Sequence, residues 1–155
     1  MIEDGKLIIG RGVYIAETAY VGGDVSIGDD STVMHHVVIR GDIAPIRIGS
    51  RVNVQDGTVV LTCYGVPLEI ADGVGIGHRA VVHCRRVGGR SLIGIGAIVL
   101  DDCEIGSRCV IAAGSVVPPG TIVRDDSVVM GVPAKFVRRT TQEDLEMIDH
   151  VVGSY

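Results

Sequence analysis

Isoleucine and valine recur every six residues along most of this 155-residue chain. A helix repeats every 3.6 residues and a plain strand every two, so neither explains a period of six. A sustained six-residue period predicts a hexapeptide β-helix, in which each repeat is one short strand and one turn. The repeat positions are Ile9, Ile15, Val21, Ile27, Val33, Ile39, Ile48, Val54, Val60, Ile70, Ile76, Val81, Val87, Ile93, Val99, Ile105, Ile111, Val117, Val123 and Val129.

Glycine follows many of these positions, and Asp, Asn and Ser fill many of the others. These residues favour turns, whereas β-branched residues favour the flat strands between them. Three repeats close one triangular coil, so we predict an all-β fold of about seven parallel coils over residues 1–138. Residues 139–155 are predicted to form a short C-terminal α-helix packed on the prism, with Thr140 and Glu143 at capping-box spacing.

The composition disfavours several classes of function. The net charge is −5 and the chain has only five aromatic residues, so we expect no nucleic-acid partner. No run of about 20 apolar residues is present, so we expect no membrane span. The polar first six residues do not look like a secretory signal, which makes the cytoplasm the expected location. The four cysteines lack CxxC spacing and are expected to be reduced.

Two histidines stand out near the shortest step of the repeat, from Ile76 to Val81. His78 and His83 each lie two residues after a repeat position, which predicts the same phase on consecutive faces of the prism. Because consecutive faces of a triangular prism are turned by about 120°, the two imidazoles of one chain would point in different directions. A metal ion shared by both histidines therefore requires two subunits. Imidazole suits zinc, iron or cobalt.

Five motifs stand out along the chain: Arg40-Gly-Asp42, Asn53-Val-Gln55-Asp56-Gly57, Gly77-His78 with His83, Leu92-Ile-Gly94-Ile-Gly96-Ala97 and Gly131-Val-Pro-Ala-Lys135. Together they resemble the motifs of γ-class carbonic anhydrase-like proteins of the hexapeptide-repeat superfamily. The resemblance covers nearly the whole chain and implies a left-handed β-helix. It also implies a homotrimer that holds Zn²⁺ or Fe²⁺ at each subunit interface and hydrates CO2 to bicarbonate.

The resemblance also implies roles for individual residues. Gln55 matches a glutamine that orients the nucleophile or the substrate. Arg40 and Asp56 match an interface salt bridge near the site, and Asp42 falls in the same group.

The metal ligands show one departure from the family. His78 and His83 match two of three ligand histidines, but Leu61 stands at the third position and cannot bind metal. Cys63, two residues downstream, could replace it, since thiolate binds zinc. The alternatives are a weak site of two histidines or no metal. The resemblance therefore implies weak or lost carbonic anhydrase activity.

His35 and His36 stand where relatives often carry Trp-Pro. They are either new ligands or residues of an exposed turn. Two further functions stay open. A CoA-dependent acyltransferase could use His35, His36 or His78, although the chain lacks the long substrate loop of such enzymes. A non-catalytic structural or assembly trimer would explain the loss of a ligand at Leu61.

Overall fold

The computed structural model describes residues 5–154, so residues 1–4 and 155 of the predicted ranges 1–138 and 139–155 lie outside the described residues. Within this part, short strands follow one another until a single C-terminal helix. The strands are β1 (Ile8–Ile9), β2 (Tyr14–Ile15), β3 (Tyr20–Ile27), β4 (Thr32–Val33), β5 (Val38–Ile48), β6 (Asn53–Val54), β7 (Val59–Leu61), β8 (Leu68–Ile70), β9 (Gly75–Ile76), β10 (Val81–Val82), β11 (Arg86–Val87), β12 (Leu92–Ile93), β13 (Ile98–Val99), β14 (Glu104–Ile105), β15 (Val110–Ile111), β16 (Val116–Val117), β17 (Ile122–Val123), β18 (Ser127–Gly131) and β19 (Ala134–Arg139).

The strands stack in parallel on three faces. Face 1 contains β5, β7, β10, β13 and β16, face 2 contains β8, β11, β14 and β17, and face 3 contains β2, β4, β6, β9, β12, β15 and β18. The long strands β3 and β5 run from face 1 into face 2. β19 closes the end of face 3 by pairing antiparallel to β18. The predicted fold is confirmed: the chain is a left-handed parallel β-helix of about seven turns with one C-terminal helix.

The repeat residues fill the interior of the prism. Seventeen of the twenty predicted positions are buried, and Ile9 and Ile15 are more exposed on the first coil. The prediction for Val81 is wrong. Val82 is the buried residue of β10 because it pairs with Val60 and Val99. The short step of the repeat therefore lies between Val82 and Val87.

This correction changes the predicted phase of the two histidines. His83 directly follows the core residue Val82, whereas His78 lies two residues after the core residue Ile76. The expectation of one shared phase was wrong because two adjacent valines satisfy the pattern equally well. His78 precedes β10 and His83 follows it, so the two lie at opposite edges of face 1.

The C-terminal helix α1 spans Gln142–Gly153. Its capping box uses Thr141 and Asp144, one residue later than the predicted pair Thr140 and Glu143. Asp144 accepts hydrogen bonds from the Thr141 backbone N–H at 2.7 Å and from the Arg138 guanidinium at 2.6 Å. This carboxylate therefore ties the helix start to β19.

The other side of α1 is attached to the prism. Ile148 is fully buried, and Asp149 accepts a 2.6 Å hydrogen bond from Arg90 in the preceding coils. The helix thus packs on its own chain. No helix within residues 5–154 is long and apolar enough to cross a membrane. The cytoplasmic location stays a prediction.

Replacing Asp144 by alanine is expected to lower the free energy of unfolding by about 1–2 kcal/mol, because the side chain's hydrogen bonds to the Thr141 backbone N–H and to Arg138 are lost. Hydrogen bonds from Arg138 hold the pKa of Asp144 well below its ordinary value of 3.8. A lowered folded pKa stabilises the fold above the ordinary pKa, and that stabilisation is lost as the pH falls through the folded pKa. Urea unfolding at neutral and acidic pH measures both effects. Glu143→Ala, at an exposed neighbour, is the control and should change stability by less than about 0.5 kcal/mol.

Candidate metal centre

A group of five side chains, four of them polar, lies at the edge where face 1 turns into face 2. We call Arg40, Leu61, Cys63, His83 and Asp101 the thiol corner. Leu61 ends β7 and pairs with Arg40 of β5, while His83 follows β10 in the next coil. The stacking of the coils brings these residues together.

The thiol corner contains a chain of three polar side chains. The Sγ atom of Cys63 lies 3.2 Å from Nε2 of His83. The other ring nitrogen of His83, Nδ1, lies 2.8 Å from Oδ1 of Asp101. One ring nitrogen of His83 therefore faces the thiol and the other faces the carboxylate.

These donor atoms fit a metal ion. One ligand atom from each of Cys63, His83 and Asp101 lies within 4.8 Å of the others. Sulfur, nitrogen and oxygen are the ligand atoms that proteins use for zinc. Burial, followed by the negative charge of Asp101, raises the pKa of the Cys63 thiol. A cation at this corner would favour the thiolate, since metal binding releases the thiol proton.

The second group, which we call the glutamine corner, lies where face 3 turns into face 1. It contains Gln55, Asp56 and His78. Gln55 is buried and donates from Nε2 to Asn53 Oδ1 at 2.8 Å, and Asn53 donates to Thr32 at 2.7 Å. The amide of Gln55 is therefore held by a chain of hydrogen bonds. Nδ1 of His78 lies 3.5 Å from a carboxylate oxygen of Asp56.

A cavity of about 370 Å³ adjoins the glutamine corner. Gln55 and His78 line it from the prism, and His150 and Val151 line it from α1. The cavity is large enough for several water molecules or a small solute. Within one chain it is separate from the thiol corner, which lies at the other edge of face 1.

The structure separates the residues of the predicted salt bridge. Arg40 belongs to the thiol corner and Asp56 to the glutamine corner. Within one chain Arg40 instead donates to Asp42 at 3.1 Å, and this bond lowers the pKa of Asp42. Both side chains of this pair are about half exposed. A pair between Arg40 and Asp56 across an interface stays a prediction.

His35 and His36 lie in an exposed turn, as one of the two interpretations expected. Nδ1 of His35 lies 3.1 Å from Oγ1 of Thr18, and the backbone N–H of His36 donates to the same hydroxyl. Neither histidine joins the group of ligand atoms found within residues 5–154.

Comparison with known proteins agrees with this fold and these motifs. The family described as bacterial transferase hexapeptide (six repeats) matches residues 6–41 and 86–119. The carbonic anhydrase of Geobacillus kaustophilus is 40% identical over 147 residues, which is 95% of this chain and 81% of that protein. The mitochondrial gamma carbonic anhydrase 2 of Arabidopsis thaliana is 35% identical over 99% of this chain. The chain belongs to the γ-carbonic anhydrase-like family of hexapeptide-repeat proteins.

The family likeness extends to solved structures. The crystal structure of a hexapeptide transferase family protein from Anaplasma phagocytophilum matches with a TM-score of 0.89 at 33% identity. The match covers 96% of this chain and 87% of that one. The relatives differ in length, since this γ-carbonic anhydrase-like chain spans only 58% of the Arabidopsis protein.

Sequence reasoning missed Asp101. The signal was present in the repeat itself, because one coil is 18 residues and Asp101 lies 18 residues after His83. Cys63 was weighed as a replacement ligand, and the structure places it beside His83. Its spacing of 20 residues from His83 reflects the longer turn at residues 62–67.

Proposed function

We propose that this protein is a carbonic anhydrase-like homotrimer in which the thiol corner of one subunit meets the glutamine corner of the next. The observation that carries this proposal is that each chain holds two incomplete groups at opposite edges of one face. His83 lies at one edge and His78 at the other. Only a second chain can bring two such imidazoles to one ion.

The charges of the two corners support their meeting. The thiol corner presents the half-exposed guanidinium of Arg40, and the glutamine corner presents the partly exposed carboxylate of Asp56. These are the residues that match the interface salt bridge of the family. In an assembled trimer, Arg40 would exchange or share its bond to Asp42 with Asp56 of the partner subunit.

The metal would be zinc or iron, held by His83 and by His78 of the partner subunit. When bound there, such a metal would supply the chemistry of activating a water molecule toward CO2. Gln55 would orient the nucleophile or the substrate, because its Nε2 end is committed to Asn53 and its Oε1 end remains to accept a hydrogen bond. Leu61 adds no ligand, so we propose that CO2 hydration is weak or lost.

The oligomeric state tests the proposal most directly. Size-exclusion chromatography with light scattering should give three times the chain mass of 16.3 kDa. Arg40→Glu should shift the protein toward monomer, since it places like charges at the interface. Adding Asp56→Arg to Arg40→Glu should restore the trimer. The exposed Arg124 offers a matched control, and Arg124→Glu should leave the mass unchanged.

A wild-type monomer at micromolar concentration would contradict the proposal. A trimer that Arg40→Glu leaves intact would keep the assembly but remove the meeting of the two corners. A stable trimer without metal and without CO2 hydration would favour the structural or assembly role instead.

An acyltransferase is the second candidate. It is favoured by the solved hexapeptide transferase family protein that shares this fold. The site that fits it best is the cavity beside His78, where the imidazole could act as a general base. Calorimetric titration with acetyl-CoA tests it, and binding that His78→Ala weakens would support it. No heat at millimolar acetyl-CoA would remove this candidate.

A further inference from the structure

We infer that Cys63 takes the place of the missing ligand at Leu61, so that the subunit interface holds a thiolate-containing zinc site. This inference rests on the proposed meeting of the two corners. It names the ligand set and the class of metal, which the proposal leaves open.

Residue 61 occupies the position next to His83 in the neighbouring coil. Val60 pairs with Val82, so Leu61 and His83 follow at matched places in neighbouring coils. Neighbouring strands lie about 4.8 Å apart, so a ligand at residue 61 would stand beside His83. Leu61 is half-buried and offers only hydrocarbon there. The position of the missing third ligand is therefore next to the imidazole of His83.

Hydrogen bonds on both sides of Cys63 hold its side chain next to His83. The hydroxyl of Thr62 is buried, accepts from the Ala44 backbone N–H at 3.0 Å and donates to the Ala44 carbonyl at 3.0 Å. The backbone N–H of Val66 donates to the Cys63 carbonyl at 3.1 Å. Both sides of Cys63 are therefore anchored, and its sulfur is held 3.2 Å from Nε2 of His83.

The distance between Sγ of Cys63 and Nε2 of His83 is close to the separation of two ligand atoms on one zinc ion. A tetrahedral zinc ion with bonds of about 2.3 Å to sulfur and 2.0–2.1 Å to nitrogen separates the two atoms by about 3.6 Å. The observed 3.2 Å requires an opening of a few tenths of an ångström. A rotation of either side chain supplies that movement, and the partly exposed corner gives room for it.

Asp101 orients the imidazole of His83. Its carboxylate lies 2.8 Å from Nδ1 of His83, the ring nitrogen that does not face the sulfur of Cys63. An N–H at Nδ1 that donates to Asp101 leaves Nε2 with the lone pair that binds metal. Carboxylates commonly hold metal-binding histidines in this way. Asp101 is therefore a positioning residue, and Cys63 and His83 are the ligands from this chain.

The ligand set selects the metal. Thiolate with imidazole is typical of zinc sites and also binds cobalt, which serves as a spectroscopic substitute. A site of histidines alone suits iron as well as zinc. The sulfur of Cys63 thus favours zinc at this interface.

Cobalt loading of the 155-residue protein tests the inference. After Co²⁺ loading and desalting, the protein should hold about one ion per chain and show near-ultraviolet absorption from thiolate-to-cobalt charge transfer. Cys63→Ser should abolish that absorption and weaken binding by at least about 10- to 100-fold, the effect typical of supporting residues. Cys109→Ser is the matched control, because a hydroxyl can keep its hydrogen bond to the Arg124 carbonyl and the absorption should remain.

Two further variants separate the inference from the proposed interface. Cys63→Ser with Leu61→His restores the family ligand and should bind cobalt without the charge-transfer absorption. Asp101→Ala should lower the affinity about 10-fold or more but keep the absorption, as expected of a positioning residue.

Three outcomes overturn the inference. Charge-transfer absorption that survives Cys63→Ser would assign the thiolate to another cysteine. Metal binding by the double variant but not by the wild type would reject Cys63 as a ligand and leave the proposed interface intact. No binding by either protein would also reject it, and the mass measured by light scattering would then show whether the trimer itself fails.

Discussion

The double variant Leu61→His/Cys63→Ser is expected to hydrate CO2 at least about 100-fold faster than the wild-type protein when both are loaded with zinc, since even supporting residues of such sites change activity by 10- to 100-fold. The gain has an electrostatic cause. A thiolate ligand carries a full negative charge, which offsets the charge of the ion and weakens its hold on the anion formed from water. Three neutral imidazoles leave that charge in place.

Stopped-flow measurement with a pH indicator compares the two proteins after metal analysis has established equal loading. Adding His83→Ala to the double variant is the control, and it should remove the gain. A loaded double variant that is no faster than the wild type would show that this corner does not present its metal to CO2. The carbonic anhydrase-like activity would then be wrong for this chain, even if the trimer forms.

The sequence was sufficient for the fold because one strong signal repeats in every coil. The interior of a β-helix accepts one β-branched residue per short strand, and seventeen predicted positions are buried as expected. The error at Val81 has a physical origin. Val81 and Val82 are identical in shape and propensity, so only pairing with Val60 and Val99 decides which one faces inward.

Local hydrogen bonding decided the start of α1 in the same way. Thr140 and Thr141 both precede an acidic residue at capping-box spacing. The bonds between Arg138 and Asp144 select the second pair, because they join the cap to β19. A pattern of residue types contains no information about this contact between elements.

The candidate site was predicted in part. The histidines, Gln55 and Cys63 could be identified from motifs, but the contact between Cys63 and His83 depends on the path of the turn at residues 62–67. Asp101 could have been found by counting one coil onward from His83. The proposed meeting of subunits has no signal in the repeat, since the sequence of an exposed face does not distinguish a face covered by water from one covered by another chain.

Ile93→Ala is expected to lower the free energy of unfolding by about 2–5 kcal/mol, the range for removing a large buried aliphatic side chain. Ile93 has no exposed surface and pairs with Ile76 in the coil before and Ile111 in the coil after. The cavity would therefore weaken two contacts between coils at once. Ile122→Ala is the matched control: that side chain is 67% exposed, and its loss should cost less than about 0.5 kcal/mol.

Guanidinium unfolding followed by circular dichroism measures the difference at one fixed protein concentration, because the stability of the proposed trimer would depend on concentration. An equal slope for the two variants would show that the same surface unfolds in each. A solenoid is stabilised mainly by contacts between neighbouring repeats, so damage in a central coil should lower the stability of the whole prism. A loss for Ile122→Ala as large as the loss expected for Ile93→Ala would instead mean that face 2 is covered at the last coil, which would add a subunit contact there to the proposed contact of the two corners.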